Sequence, residues 1–343
     1  MLLSGELFLI LWVIIETVMD QSSVIKDFLQ EELLLFDDYL RKSVISNNPR
    51  ITEMINFIFR TNGKQLRPTL VLLSAKACGH IIPETYHGAV TVELLHTATL
   101  IHDDVIDRSE IRRGKQSVNA VYDNTKAVLA GDYLLSAALA ESVKTRNLDI
   151  IRIISEMGKS LSEGELEQFS LASEIIIDEK AYFKVIDKKT ASLMSVCTTI
   201  GAITGGADAD TVEKFSMLGR FFGLAFQIRD DIFDYYKADV GKPTGNDIRE
   251  GKITLPLIYA LQNAPSELVE EMMQIIHSRD YSDDNIELLL QFAKEQHGIE
   301  YATKIMNDFL TKAESMISDL TAVSSEIQFL LHLFLSYLRD RAN

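Results

Sequence analysis

The sequence predicts an all-α protein, and three observations predict it. Turn formers are scarce, with 17 Gly and 6 Pro in 343 residues where average usage is roughly 12%, so the elements are long. Punctuation is sparse but clear, at Gly63, Gly79 to Pro83, Arg113 to Ser117, Gly205 to Asp210, Lys237 to Asp247, Ala264 to Ser266, Ser278 to Asp284 and Gly298, and the segments between are of helix length. Strand signals are weak. Ile175 to Ile177 is β-branched, yet too short and isolated to build a sheet.

At the N-terminus, Leu7 to Ile15 is an apolar run that holds the only tryptophan, Trp12. It falls short of the roughly 20 apolar residues that span a bilayer. With no Lys or Arg before Lys26, it also lacks the basic region of a secretory signal. Three readings remain: a membrane-surface helix, an extra packed helix, or read-through upstream of a start at Met19. Residues 1–18 are therefore read as an extension and 19–343 as a single domain, since no linker, repeat or low-complexity stretch follows Ile25. The net charge of -16 would repel a phosphate backbone, which argues against nucleic acid as a partner. Two cysteines, Cys78 and Cys197, make no disulfide framework and match no zinc spacing, which suits a reducing cytoplasm.

The next element is a helix that Pro68 can open in its first turn and Gly79 can close. After it, Glu93 to Asp107 reads ELLHTATLIHDDVID. His96, Thr99, Asp103 and Asp107 fall at steps of 3, 4 and 4, so they form one stripe along a helix. Leu94, Leu95, Leu100, Ile101, Val105 and Ile106 flank it, which a merely solvated acidic face would not require. The pattern returns in Phe221 to Asp234, FFGLAFQIRDDIFD, where Gln227, Asp230, Asp231 and Asp234 sit at i, i+3, i+4 and i+7. Carboxylates gathered in apolar surroundings need positive compensation. Oxygen donors without Cys favour a hard cation, and Mg²⁺ takes one or two carboxylates while water and substrate phosphates fill its other positions.

Phosphates need cations, and the chain supplies them. Lys64 and Arg67 stand at a helix start, where free N–H groups also favour an anion. Arg112, Arg113 and Gly114 follow the first acidic stretch directly, and Lys189 with Thr190, Lys242 and Lys252 are further candidates. Each alone reads as an ordinary surface residue, so their weight lies in occurring together.

These stretches together resemble the trans-isoprenyl diphosphate synthases of the polyprenyl synthetase family. The matching segments run in the family's order: NGKQLRP from Asn62, HTATLIHDDVIDRSEIRRG from His96, GDYLL from Gly131, KKTASL from Lys188, FQIRDDIFD from Phe226, GKPTGND from Gly241 and GKITLP from Gly251. Departures are small: Asn62 replaces the usual first Gly, and Gln116 and Ser117 stand where Pro and Thr commonly follow the RRG. The resemblance implies an isoprenoid synthase fold, an antiparallel helix bundle around a large central cavity with the two acidic stretches at its mouth, usually as a homodimer. It implies that the six aspartates Asp103, Asp104, Asp107, Asp230, Asp231 and Asp234 serve the metals, with Asp103, Asp107, Asp230 and Asp234 as the Mg²⁺ ligands. Arg112, Lys189, Thr190, Gln227 and Lys242 would hold an allylic diphosphate, and Lys64, Arg67, His96 and Arg113 the isopentenyl diphosphate, with Lys252 a further substrate contact.

By the same resemblance, Ala98 and Thr99, five and four residues before Asp103, set product length. Short-chain members carry bulky aromatics there as a floor. The small residues here imply a long product of about C30 to C50 for quinone side chains, with a peripheral membrane contact for its release. The competing readings are a short-chain farnesyl or geranylgeranyl diphosphate synthase, a non-catalytic subunit of a heteromeric synthase, and a terpene cyclase. A non-catalytic subunit would lose its acidic stretches, and a cyclase would have no use for the cations that bind a second diphosphate.

Overall fold

Helices carry nearly all of the chain in this computed structural model, which describes residues 21–60, 65–112, 114–236 and 244–340. The expectations for residues 1–18, Met19, Lys64, Arg113 and Lys242 lie outside the described residues. By internal contact the chain divides into two compact units. One takes in the described residues up to Gly158 with Val196–Ser216 and Thr321–Leu331; the other takes in Lys159–Ser195, Met217–Leu320 and the residues from His332 on.

The first unit opens with α1 (Gln21–Phe28), α2 (Gln30–Ser43) and α3 (Pro49–Ile58). Asn48 caps α3 by accepting the Arg50 N–H at 3.0 Å, with Pro49 at the first helical position. Then α4 runs from Leu66 to Cys78, with Pro68 in its first turn and Gly79 just past its end, as the sequence predicts. Residues Leu70 to Ala75 are all buried, the mark of a helix enclosed on every side. Beside it lies α5 (Pro83–Ile106), whose Ala89, Val90, Val92, Leu94, Leu95, Ala98 and Ile101 enter the core. Each fully buried aliphatic side chain of this size beyond alanine contributes about 1.5–3 kcal/mol.

Two strands of two residues, β1 (Ile111–Arg112) and β2 (Lys115–Gln116), form an antiparallel ribbon that pairs Ile111 with Gln116 and Arg112 with Lys115. The ribbon, which the sequence reading did not anticipate, is the only sheet among the described residues. After α6 (Val118–Tyr122) comes α7 (Asn124–Lys144), started by Asp123, whose carboxylate accepts the Lys126 N–H at 2.9 Å. Ala127, Ala130, Gly131 and Ala138 give α7 a small-residue face, and a Cβ at Gly131 would strike the His102 ring. Close approach of α7 thereby fixes the acidic end of α5.

The second unit receives α8 (Leu148–Glu174) from Lys159 onward. Ile175, the start of the β-branched triplet, leaves α8 through the left-handed region at φ 55°, at a cost of about 1–3 kcal/mol for such a residue. The Ile176 N–H returns to the Leu171 carbonyl, and Arg279 donates to the carbonyls of Ala172 and Ser173 at 3.3 and 2.7 Å. These bonds satisfy the helix end.

Next come α9 (Glu179–Ile186), a π-helical turn (Asp187–Ala191) and α10 (Ser192–Gly205). The π turn is held from two sides: a Cβ at Gly164 of α8 would lie 2.9 Å from that of Lys188, and one at Gly223 would lie 2.5 Å from the Ala191 Cα. Gly223 belongs to α11 (Ala209–Phe233). The chain continues through α12 (Asn246–Arg249), α13 (Leu255–Asn263), α14 (Ser266–Ser278), α15 (Asp283–Glu295), α16 (Gly298–Ser318) and α17 (Ser325–Asp340). Within the second unit, Tyr259 of α13 stacks on Tyr301 of α16 at 4.1 Å, and Phe222 of α11 meets Phe334 of α17 at 5.2 Å.

Candidate active site

In the first unit, His96, Thr99 and Asp103 share α5, and Asp107 caps it, its N–H donating to the Asp103 carbonyl at 2.8 Å. The predicted stripe therefore exists as one helix face. Leu94, Leu95 and Ile101 beside it are buried, whereas Ile106, at the helix end, is 66% exposed. Asp103 is partly buried and Asp107 exposed. Asp104 lies off the stripe, 2% exposed, and accepts the Arg112 Nε–H at 2.6 Å. Burial pushes its carboxyl pKa up, and the Arg112 charge draws it partly back. Its backbone carbonyl accepts the Ser109 N–H and the Asn119 side-chain amide, so Asp104 anchors the start of the ribbon as well as Arg112.

Arg67, in the first turn of α4, lies close enough to Cys197 to pull its thiol pKa down, while Glu93 pushes it up. Arg67 and Glu93 thus both lie near Cys197, Glu93 being one turn before His96 on α5. Burial dominates the thiol and raises it to about 12, so Cys197 is inert packing. Ala98 is fully buried, and Thr99 is partly buried with its hydroxyl on the His96 carbonyl at 2.8 Å. At about 100° per residue, Thr99 shares the Asp103 face, and Ala98 lies about 140° around the helix from it.

In the second unit the π turn presents Lys189 and Thr190. Lys189 Nζ donates to Gln168 at 2.5 Å and pairs with Glu165 at 2.7 Å. Thr190 donates to Gln227 Oε1 at 2.6 Å, and Gln227 Nε2 donates to Asp231 Oδ1 at 2.8 Å. The other oxygen of Asp231 accepts the Tyr182 hydroxyl at 2.6 Å. Asp231 is 4% exposed, and burial pushes its pKa up to about 7 against the pull of those two donors. Asp230 is less enclosed: its carboxylate is 46% exposed, and Arg229, buried against Phe226, reaches it at 2.9 Å. The two oxygens of Asp234 accept the N–H groups of Asn246 and Asp247 at 3.0 and 2.9 Å. Asp247 in turn is pushed well up by burial and by Asp231 and Asp234, with Lys252 acting against them. Lys252 pairs with Glu250 at 2.5 Å.

Four of the six aspartates, Asp104, Asp230, Asp231 and Asp234, accept hydrogen bonds from protein donors, and in Asp231 and Asp234 both oxygens do. Asp103 and Asp107 on one helix face and the exposed Asp230 are oxygen donors suited to a hard divalent cation. Among the described residues no three His, Cys, Asp or Glu side chains are grouped so that they could hold a metal ion by themselves. Sequence reasoning missed Tyr182 and Asp247. Asp247 lay inside the quoted GKPTGND stretch, but Tyr182, 49 residues from Asp231, carried no local signal.

A family model described as polyprenyl synthetase matches residues 48–292, a span that contains every one of these groups. The chain belongs to the polyprenyl synthetase family. It is thereby a prenyltransferase, and enzymes of the family depend on a metal ion. Among polyprenyl synthetases, the chain is 32% identical over 295 residues to heptaprenyl diphosphate synthase component 2 of Bacillus subtilis, covering 85% of this chain and 84% of that one. A decaprenyl diphosphate synthase from Rhodobacter capsulatus superposes with a TM-score of 0.89 at 32% identity, over 94% of this chain and 99% of the other. A geranylgeranyl pyrophosphate synthase from Bacteroides thetaiotaomicron gives 0.81 at 37% identity, over 94% and 100%. The polyprenyl synthetase fold is the all-α isoprenoid synthase fold that the motifs imply.

Proposed function

We propose that this polyprenyl synthetase adds isopentenyl diphosphate repeatedly to an allylic diphosphate such as farnesyl diphosphate, giving an all-trans chain of about C30 to C50 for quinone side chains. The observation that carries the length is the pair Ala98 and Thr99, neither of them bulky, on α5 before Asp103. Incubation with farnesyl diphosphate, isopentenyl diphosphate and Mg²⁺, followed by sizing of the products, tests it. Products that stop at C15 or C20 would favour a short-chain synthase, the second reading, which the 37% identity to a geranylgeranyl pyrophosphate synthase supports.

In this reading Asp103, Asp107 and Asp230 hold Mg²⁺, with Asp234 contributing through oxygens that its backbone partners leave partly open. Magnesium supplies the Lewis acidity that stabilises a departing pyrophosphate. Arg112, Lys189, Gln227 and Lys242 hold the allylic diphosphate, with Thr190 orienting Gln227. Lys64, Arg67, His96 and Arg113 hold isopentenyl diphosphate, and Lys252 supports the loop that carries Asp247. The allylic C–O bond ionises, and the isopentenyl double bond attacks the resulting carbocation. Loss of a proton to the released pyrophosphate then leaves a product five carbons longer. Apolar side chains around the tail keep water from the cation.

A homodimer is part of the proposal. Val128, Leu129, Leu139 and Val143 line one exposed face of α7, the last three 59%, 62% and 63% exposed. Exposed apolar side chains on one helix face, here either side of Asp132 and Ser136, favour burial against a partner. Light scattering should give a dimer mass for the wild type and a monomer for Leu139→Glu. The relative named component 2 makes a different partner subunit the alternative outcome. No described helix is long and apolar enough to cross a membrane. We place the enzyme in the cytoplasm, with a peripheral membrane contact for product release.

A further inference from the structure

We propose that Tyr182 is a positioning residue for the allylic diphosphate, acting through Asp231 on the side-chain amide of Gln227; the inference rests on the prenyl-transfer reading above. Tyr182 sits on α9, 6% exposed, its ring edge-on to Phe183 at 5.4 Å. Its hydroxyl donates to Asp231 Oδ2 at 2.6 Å, Asp231 Oδ1 accepts Gln227 Nε2 at 2.8 Å, and Gln227 Oε1 accepts the Thr190 hydroxyl at 2.6 Å. Four side chains from α9, the π turn and α11 form one directed chain of hydrogen bonds.

The direction carries the argument. Asp231 accepts at both oxygens, from the Tyr182 hydroxyl and from Gln227, so the side of Gln227 that faces Asp231 is its NH₂. The carbonyl oxygen must then face Thr190. Nε2 carries two hydrogens and Asp231 takes one, which leaves the second to serve a phosphate oxygen. A glutamine turned over about its last bond would present a lone pair at that place and repel the same anion. Asp231 forbids the turn, and Tyr182 forbids rotation of Asp231 by tying down its second oxygen. Nothing in this chain requires Asp231 to touch metal or substrate.

The test is steady-state kinetics with Mg²⁺, varying farnesyl diphosphate and isopentenyl diphosphate separately, on wild type, Tyr182→Phe, Gln227→Ala and the double variant. Tyr182→Phe keeps the ring and removes only the hydroxyl. We expect it to raise KM for farnesyl diphosphate about tenfold, the scale of one hydrogen bond to a charged group, while KM for isopentenyl diphosphate stays within about twofold. In the Gln227→Ala background the same substitution should change nothing further, because the group it acts through is gone. Asp231→Leu is the second variant should Tyr182→Phe fold poorly. Its side chain keeps the shape and offers Gln227 no acceptor, so it should reproduce the rise in farnesyl diphosphate KM. Equal rises in both Michaelis constants, an unmoved Tyr182→Phe, or full additivity with Gln227→Ala would each overturn the assignment. A wild-type enzyme that makes no product from any allylic primer would overturn the proposed function and this inference with it. Normal wild-type turnover beside an unmoved Tyr182→Phe overturns this inference alone.

Discussion

Arg112 lies with its Nε 2.6 Å from the buried carboxylate of Asp104, on the ribbon that follows α5, so the second aspartate of the first acidic stretch is tied to the protein itself. Asp104→Ala should remove this anchor and leave Arg112 without its partner. Breaking a fully buried ion pair costs about 3–5 kcal/mol. Because Arg112 is partly exposed, with 35% of its side chain accessible, we expect about 1–3 kcal/mol. Thermal melting should register the loss. An Asp104→Ala protein that melts like the wild type would assign the carboxylate to the reaction instead.

Asp103→Ala should do the reverse: its side chain is partly exposed, and removing one of several like charges relieves repulsion in the metal-free protein, so melting should be unchanged or slightly improved. Asp230→Ala should lower the melting temperature, because it leaves the buried Arg229 without its carboxylate partner. Turnover with Mg²⁺ should fall by about two to three powers of ten in both. A fully active variant would end the proposed metal role of that carboxylate.

The buried carboxylates make the metal-free protein sensitive to alkali. Asp231 is raised to about 7, and Asp104, Asp234 and Asp247 are raised as well, burial leading in each case. A group whose folded pKa exceeds its unfolded value binds more protons when folded, so its contribution is complete at low pH and is lost as pH rises through the folded value. Between pH 5 and about 8 the melting temperature of metal-free enzyme should therefore fall. Asp231→Asn should flatten the slope, and Mg²⁺ with pyrophosphate should restore stability at the upper end. A melting temperature that climbs over the same range would refute the assignment of strain to these groups.

Product length offers a geometric test. Thr99 and Ala98 lie roughly 6 to 8 Å along the axis of α5 from Asp103. On the Asp103 face, Thr99→Phe should stop growth at about fifteen to twenty carbons with near-normal initial rates, because a packed interior has little room for another ring. Ala98 has no exposed surface, so Ala98→Phe should shorten products too, but at about 1–3 kcal/mol of stability. Mass-spectrometric sizing separates the outcomes. An unchanged distribution from both well-folded variants would mean that the tail leaves along another wall.

The stripe on α5 was legible because helical periodicity is local: residues three and four apart must share a face. The start at Pro68 and the stop at Gly79 were legible for the same reason. What Asp103 and Asp104 each do was not, because neighbours in sequence point a third of a turn apart and only packing decides which is buried. Asp231 presents the same difficulty, since its role depends on a hydroxyl from α9. The π turn left no mark either. KKTA reads as ordinary helix, and the widened turn arises from close contacts at Gly164 and Gly223, 25 and 32 residues away from Lys189 and Ala191.

Those two glycines bear on anyone who would retailor the enzyme by directed evolution. A substitution at either position adds a methyl group where backbone or a lysine stem already stands, so libraries that randomise 164 or 223 should return almost entirely to glycine. The surviving exceptions would carry a compensating change in the KKTA turn itself. Diversity is better spent on the small side chains of α5, where new volume changes what the enzyme makes before it changes whether it folds.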